Sequence, residues 1–243
     1  MPPMVVSALP SLSPASWWAL LGVVPLAGWL VGGIPWGVLW VRWLKGIDLR
    51  TVGSGNTGAT NAARAVGGGR KGLALFLLVY LLDLGKALVV LLPLDLLPAP
   101  PPDLGWVPEA LFFLGGLSVI LGHCYSPWLH FQGGKGVATT CGVLLVLDWR
   151  ILLLGLLLFF LVLLLSRMVS LGSMVMGVSL PLWDLILPGK GERGGGSFLL
   201  LVVLGVLILY RHRSNLGRIL QGRERKVSFP WSSRRREGKE APR

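Results

Sequence analysis

Charged side chains are scarce in this chain of 243 residues. Only 14% of the residues are Asp, Glu, Lys or Arg, whereas an ordinary soluble domain has about 25%. Apolar side chains are abundant, since Ala, Val, Ile, Leu, Met, Phe, Trp, Tyr and Cys make up 53%. So few charges could not cover the apolar surface of a soluble domain, and disordered chains are poor in apolar residues. The composition excludes both classes and predicts an integral membrane protein.

Negative charge and cysteine are scarcer still. The chain has 11 Asp and Glu against 23 Lys and Arg, which gives a formal net charge of +12. A soluble DNA-binding protein would be basic but not this apolar, so we expect no nucleic-acid partner. Cys124 and Cys141 belong to no closely spaced Cys/His pair of the kind that binds zinc. We therefore expect two reduced packing residues and no metal site.

Seven apolar runs predict an all-α bundle of seven transmembrane helices, because a helix needs about 20 mostly apolar residues to cross the hydrocarbon. The runs lie at 17–44, 73–97, 107–121, 137–147, 151–165, 171–187 and 198–210. No Lys or Arg precedes Arg42, so the chain lacks the charged region of a cleaved signal peptide, and the first run is expected to remain as an anchor. We expect three segments: a short extracytoplasmic extension (1–16), the seven-span domain (17–226) and a basic, disordered cytoplasmic tail (227–243).

The positions of the basic residues predict the orientation in the membrane. Nineteen of the 23 Lys and Arg lie in the segments that follow the first, third, fifth and seventh runs. Basic residues concentrate on the cytoplasmic side of membrane proteins, which predicts an N-terminus outside the cell and a C-terminus in the cytoplasm. That orientation requires an odd number of spans, in agreement with seven.

The first cytoplasmic segment contains the run GSGNTGATNAAR from Gly53 to Arg64. Its glycine spacing matches a dinucleotide fingerprint, but no strand precedes it and no acid follows about 20 residues later. Glycine amides followed by a helix N-terminus still suit an anion, and Ser54, Asn56 and Asn61 add donors. The run predicts an anion site, with a loop that binds nothing as the alternative.

The second cytoplasmic segment ends in GGKGVAT, in which Gly133, Gly134, Lys135 and Gly136 lead into the fourth run. It is no Walker A loop, because no Ser or Thr follows the lysine. Glycine amides, one lysine and a helix N-terminus nevertheless suit a phosphate. The alternative is a flexible loop whose lysine only follows the positive-inside rule.

Two further cytoplasmic segments are polar. The third places Ser170 and Ser173 at the start of the sixth run. In the fourth, His212 and Asn215 would share a face if the segment is helical, and Glu224 would be a structural partner for the surrounding arginines. A basic helix at the membrane edge is the alternative for this segment.

All four polar segments fall on the predicted cytoplasmic side. Their convergence predicts one site for a phosphorylated cytosolic substrate beside the lipid. We favour an enzyme, because a transporter's site lies near the midplane between repeats and the chain shows no repeat. A transporter for a phosphorylated small solute is the alternative.

In this order, the segments resemble the bacterial acyl-phosphate:glycerol-3-phosphate acyltransferases, the PlsY family. The resemblance covers about residues 30–226 and rests on residues 53–64, 122–123 with 133–139, 170–173 and 212–224. It implies a seven-span enzyme of the bacterial cytoplasmic (inner) membrane whose active site faces the cytoplasm.

The resemblance also implies the reaction. A fatty acyl group passes from acyl phosphate to the 1-hydroxyl of glycerol 3-phosphate, which gives 1-acyl-glycerol 3-phosphate and phosphate for phospholipid biosynthesis. Acyl phosphate is already activated, so we expect no cofactor, no metal and no covalent enzyme intermediate. The implied partners are both substrates, membrane lipid and the soluble enzyme that makes acyl phosphate.

The family's functional residues carry over to matching positions. His212, Ser54 and Arg64 are the expected catalytic residues, with His212 either taking the proton of the hydroxyl or only positioning substrate, and Glu224 is expected to be architectural. The expected substrate-binding residues are Asn56, Asn61, Gly133, Gly134, Lys135, Gly136, Ser170, Ser173 and Asn215.

Asp83 and Lys86 are charges inside the second run, three residues apart. Intramembrane charges are candidates for function. Because a helix brings such a pair to one face, we favour a buried structural ion pair.

Overall fold

The computed structural model describes residues 11–187 and 196–227, and within these it contains ten α-helices and no β-strand. The helices are α1 (Pro14–Gly33), α2 (Trp36–Lys45), α3 (Ala59–Ala65), α4 (Gly69–Leu91), α5 (Val107–Cys124), α6 (Val137–Leu147), α7 (Trp149–Ser166), α8 (Val169–Ile186), α9 (Gly196–Arg211) and α10 (Arg213–Leu220). The all-helical prediction is confirmed for these residues. Most of the predicted extension and nearly all of the predicted tail lie outside the described residues.

Five stretches are long and apolar enough to cross a membrane. They are Pro14–Lys45, Gly69–Leu96, Pro102–Leu129, Trp149–Ser166 and Val169–Ile186. The pair α9 and α10, bent by 56°, adds a sixth if it forms one span. Helix α6 is apolar but has only 11 residues, about 16 Å of helix against about 30 Å of hydrocarbon. The described residues therefore belong to a multi-pass membrane protein and contain five or six stretches that are long and apolar enough to cross, whereas the sequence predicted seven spans.

The outer face of α7 supports a membrane environment. Large apolar side chains along it are exposed, namely Leu153, Leu157, Phe160, Leu161 and Leu164. In water this continuous apolar face would be costly, whereas hydrocarbon accommodates it. The outer face of α7 is therefore suited to contact with lipid.

The first predicted run is two helices rather than one. Helix α1 ends at Gly33 and α2 begins at Trp36. Pro35 disfavours the helical conformation of the residue before it, and Ile34 has an extended ψ of 117°. Helix α2 then packs on α3 and α4 through Val38 and its neighbours, which places the first polar segment at the end of the bundle.

Glycines allow α1 and α5 to pack closely. A Cβ atom on Gly32 would overlap the backbone of Val119, and one on Gly122 would overlap the backbone of Trp29. Small residues permit such approach between membrane helices. The contact fixes the end of α5, from which the second polar segment leaves.

Candidate active site

The four polar segments meet around one cavity of about 360 Å³. Its lining includes Ser54, Asn56, Asn61, Arg64, Lys135, Gly136, Ser170, Ser173, His212, Asn215 and Glu224. Of the residues that the sequence proposed for the site, only Gly133 and Gly134 are missing from this lining. The structure therefore brings together residues that lie as far as 170 positions apart in the chain.

The first polar segment is folded by Asn61, whose side chain is 2% exposed. Its Oδ1 accepts a hydrogen bond from the amide of Ser54 at 3.0 Å. Its Nδ2 donates to the carbonyl oxygens of Leu49 at 3.2 Å, Val52 at 3.1 Å and Asn56 at 3.0 Å. Asn61 was predicted to contact substrate, but its polar atoms are engaged in shaping the loop.

Two further features complete this loop. Gly53 and Gly55 have φ values of 63° and 69°, a left-handed conformation that favours glycine. The Oδ1 atom of Asn56 accepts a hydrogen bond from the amide of Gly58 at 2.9 Å, directly before α3. The loop presents Ser54 to the cavity from a backbone that its own residues hold in place.

Arg64 comes to the cavity from the last turn of α3. It forms no ion pair with any residue in the ranges 11–187 and 196–227. Its charge is thus available to an anion that enters the cavity.

The second polar segment is held by Arg211, which is remote in sequence but in direct contact with it. The guanidinium of Arg211 donates to the carbonyl oxygen of Gly133 at 2.9 Å and to that of Gly134 at 3.0 and 2.7 Å. It also lies 4.9 Å from the ring centroid of Tyr125. The amide of Gly134 donates to the carbonyl oxygen of His123 at 2.9 Å. These glycines lie behind the cavity wall, which explains their absence from the lining.

Lys135 and Gly136 bring this segment to the cavity, and Lys135 is its charged residue there. Its Nζ donates a hydrogen bond to Oδ1 of Asn215. Partial burial lowers the pKa of Lys135 to about 8, and the nearby charges of Arg218 and Arg211 act in the same direction against Glu224. The cavity thus holds an excess of positive charge, which a bound anion would relieve.

His212 lies between α9 and α10 and is 3% exposed. Its Nδ1 is 2.8 Å from the carbonyl oxygen of Ile208. A carbonyl can only accept, so Nδ1 carries the hydrogen and Nε2 is the unprotonated nitrogen. Burial and the charge of Lys135 lower the pKa of His212 to about 4. The ring is therefore neutral at pH 7 and can accept a proton.

Glu224 binds three side chains from two helices. It accepts hydrogen bonds from Ser170 Oγ at 2.7 Å, Asn215 Nδ2 at 2.6 Å and Arg218 Nε at 2.8 Å. Burial opposes ionisation of the carboxyl group, but the hydrogen bonds outweigh it and hold the pKa of Glu224 below its ordinary value. The pairing with an arginine agrees with the sequence prediction. We call these three hydrogen bonds the Glu224 clasp, and they orient Ser170 and Asn215 at the cavity.

The chain after α10 crosses the site. Gly222, with φ 67°, turns the chain after α10. Arg225 Nη2 then donates to the carbonyl oxygen of Gly53 at 3.1 Å, and the amide of Val227 donates to the carbonyl oxygen of Arg167 at 2.7 Å. We call residues 222–227 the C-terminal strap, because it joins the first and third polar segments.

Sequence reasoning missed part of the lining. Arg218 and Arg225 line the cavity but belong to a basic run that also fits the positive-inside rule. Phe76, Tyr80 and Phe159 form an apolar part of the wall. Nothing in an apolar run distinguishes these aromatics from residues that face lipid.

A cation-rich cavity among the loops of a multi-pass helical bundle indicates a membrane protein that acts on an anionic substrate. A family profile described as glycerol-3-phosphate acyltransferase matches residues 22–222. The chain belongs to this family, which confirms the resemblance seen in the four segments.

Two relatives extend the similarity over most of the chain. The glycerol-3-phosphate acyltransferase of Synechococcus sp. (strain CC9902) is 46% identical over 202 residues, which cover 82% of this chain and 92% of the relative. That of Myxococcus xanthus (strain DK1622) is 42% identical over 202 residues, covering 83% and 96%.

Two solved structures share the fold. The crystal structure of PlsY, an integral membrane glycerol 3-phosphate acyltransferase, matches in its glycerol 3-phosphate form with a TM-score of 0.72 and 34% identity, over 86% of this chain and 96% of PlsY. The lysophosphatidic acid form of PlsY matches with a TM-score of 0.70 and 33% identity, over 86% and 95%.

Proposed function

We propose that the chain transfers a fatty acyl group from acyl phosphate to the 1-hydroxyl of glycerol 3-phosphate. The products are 1-acyl-glycerol 3-phosphate and inorganic phosphate, an early step of phospholipid biosynthesis. The observation that carries the proposal is the cavity, where the cations Arg64 and Lys135 stand beside an aromatic wall. This combination suits two phosphates and one acyl chain. The two PlsY structures that share the fold are a glycerol 3-phosphate form and a lysophosphatidic acid form.

Phosphate binding falls to the cations. Arg64 and Lys135 lie on different polar segments, so one cavity offers separate positive charges to two phosphates that would otherwise repel each other. Arg225 adds a third charge at the lining. Gly136, directly before α6, brings the positive end of a helix to the same place.

His212 is the proposed general base. The hydroxyl oxygen of glycerol 3-phosphate attacks the acyl carbon, and an ester bond forms as the bond from carbon to the phosphate oxygen breaks. The proton of the hydroxyl passes to Nε2 of His212 and then to the departing phosphate. General base catalysis of this kind contributes about 10²–10⁴-fold. Ser54 positions the hydroxyl or a phosphate.

The acyl chain is proposed to lie along the aromatic wall. Phe76 and Tyr80 are stacked, with ring centroids 5.8 Å apart, and Phe159 faces the same cavity from α7. Helix α4, which carries Phe76 and Tyr80, and helix α7 both present apolar surface at the outside of the bundle. The chain can thus remain in the bilayer while its phosphate reaches the cations.

We propose seven spans, with the N-terminus outside and the cavity on the cytoplasmic face of the bacterial inner membrane. This count takes α6 and α9 as two of the spans. It is supported by the distribution of Lys and Arg, of which 11 follow α9 when its last residue is included. The basic tail would sit on anionic headgroups, at up to about 1 kcal/mol per basic residue near the surface.

Labelling tests the orientation. Lys239→Cys is expected to react with a membrane-impermeant maleimide only in inside-out vesicles, and Pro3→Cys only in right-side-out vesicles. Cys124 and Cys141 are buried and provide a low background. Reaction of both sites from one side would contradict an odd number of spans.

Purified protein tests the reaction. With palmitoyl phosphate and radiolabelled glycerol 3-phosphate, we expect lysolipid and phosphate in equal amounts, and none with palmitoyl-CoA as donor. Transfer from palmitoyl-CoA would overturn the proposed donor. Uptake of glycerol 3-phosphate into vesicles without lysolipid would favour the transporter alternative, against which the family membership already argues. The soluble enzyme that makes acyl phosphate is the proposed supplier of the donor.

A further inference from the structure

Three polar side chains are buried on α4 and α5 next to the second polar segment. Asp83 and Lys86 on α4 and His123 on α5 are 2%, 4% and 8% exposed. Lys86 Nζ lies 2.7 Å from Asp83 Oδ1, and His123 Nδ1 lies 3.5 Å from the same oxygen. The predicted ion pair is therefore present, and it includes a third residue. The proposed chemistry uses none of these groups, although buried charges in membrane helices are costly and tend to serve function.

Two of the three residues connect the cavity with the second polar segment. Asp83 and His123 line the cavity, while the backbone carbonyl of His123 accepts the amide of Gly134 at 2.9 Å. The ring of His123 lies directly against Gly134, so that a Cβ atom at this glycine would overlap the imidazole. The residue next to Gly134 is Lys135, whose ammonium group enters the cavity.

We infer that Asp83, Lys86 and His123 form a buried support that positions the second polar segment, and through it Lys135, for the phosphate of glycerol 3-phosphate. They are positioning residues and touch no reacting atom. Lys86 holds Asp83 in place through the ion pair, and the carboxylate of Asp83 orients the ring of His123. The ring contacts Gly134 and so determines how closely its backbone can approach α5. The inference rests on the proposed function, because its readout is the binding of glycerol 3-phosphate.

The support differs from ordinary core packing in what it controls. A core residue changes the stability of the whole bundle, whereas this support is expected to change the position of one ammonium group. A misplacement of about 1 Å can cost on the order of 10²-fold in an enzyme site. Because Lys135 binds the substrate rather than the reacting atoms, the loss should appear in KM rather than in kcat.

His123→Ala is the first test, since it leaves the Asp83–Lys86 ion pair intact. We expect KM for glycerol 3-phosphate to rise about 10-fold or more, with kcat and KM for palmitoyl phosphate within about 3-fold of the parent. His130→Asn is the matched control, because His130 is exposed and its left-handed φ of 52° suits asparagine. The control is expected to leave all three constants unchanged.

Rescue by a second substitution provides the sharper test. Gly134→Ala places a methyl group against the ring of His123, so KM for glycerol 3-phosphate is expected to rise. The double variant Gly134→Ala/His123→Ala removes the ring that the methyl meets. Its KM should lie below that of Gly134→Ala alone, which a purely destabilising effect of His123→Ala would not produce.

A charge-neutral variant keeps the inference testable if His123→Ala does not fold. Asp83→Asn/Lys86→Gln removes both charges together, so neither is left buried alone, and the same selective rise in KM is expected. Parental KM values in folded variants with a lowered Tm, or no rescue by the double variant, would overturn the inference. Loss of the proposed function is distinguishable, since the parent protein itself would then make no lysolipid.

Discussion

The two glycine-rich segments, which are the first and second polar segments, reach the same cavity by different physical means. The first is organised from within, since Asn61 binds three carbonyl oxygens and one amide of its own neighbourhood. The second is organised from outside, since Arg211 binds its carbonyl oxygens from 77 and 78 positions away. One of these polar segments is therefore encoded locally, and the other depends on the completed fold.

This difference separates two kinds of variant. Damage to the first segment should appear as lost stability, because the same bonds hold the loop and the start of α3. Damage to the second should appear as lost substrate binding, because the helices around it are held by other contacts. His212 belongs to neither segment and is proposed to accept the proton of the hydroxyl. A substitution there should change kcat, and the effects of variants in the two segments can be compared with it.

The largest effect is expected for His212→Ala. Loss of the general base should lower kcat by about 10²–10⁴-fold, while KM for glycerol 3-phosphate changes little because both glycine-rich segments are intact. Steady-state kinetics with palmitoyl phosphate measure both constants. An unchanged kcat would rule out the role as base and leave His212 as a positioning residue.

A smaller effect, on the order of 10²-fold in kcat/KM, is expected for Arg211→Ala. The substitution frees two carbonyl oxygens of the second segment, so most of the loss should lie in KM for glycerol 3-phosphate. Arg211→Lys should restore little, because one ammonium group cannot reproduce the fork of a guanidinium. Full activity of the lysine variant would show that charge alone holds the segment.

Asn61→Ala is expected to act on stability first. Each buried backbone group left without a partner costs about 1–3 kcal/mol, and Tm falls by roughly 2–4 °C per kcal/mol in a chain of this size. Thermal unfolding in detergent gives the measurement, with exposed Thr51→Ala nearby as the control. A normal Tm with a raised KM would reverse the contrast between the two segments.

The smallest effect is that of pH. The pKa of Lys135 is lowered to about 8, so its positive charge is present below this pH and is lost as the pH rises through it. We therefore expect kcat/KM for glycerol 3-phosphate to decline above about pH 8 and to decline again toward pH 4, where His212 takes up a proton. Lys135→Arg should remove the upper decline, because a guanidinium stays charged. A decline that persists in this variant would assign it to another group.

The contrast also explains how far the sequence could predict the site. Ser54, Arg64, Lys135 and His212 stand in segments whose composition marks them as polar loops of a membrane protein, and charge counting placed those loops on one side. Arg211 stands beside His212 in the same basic run, but nothing in that run shows that its side chain holds the second polar segment, because this role depends on where the side chain points after folding.

Helix lengths and irregularities were harder to predict than helix positions. Apolar runs locate helices, yet the break at Pro35 divides the first run, and α6 ends after 11 residues where Asp148 leaves the helical conformation. For Asn61, sequence indicates a donor near an anion site but not that four local bonds already occupy it. Which polar atoms remain free is settled by tertiary contacts.

The place of the C-terminal strap in the chain has a consequence for biosynthesis. A ribosome that has released α1 to α8 into the membrane has already delivered Ser54, Arg64 and Lys135. The proposed proton acceptor His212 and the Glu224 clasp follow only with α9, α10 and residues 222–227. On the proposed mechanism, a partly translated chain thus holds these cations without their proton acceptor, and we expect activity to begin only when the last helices are in place.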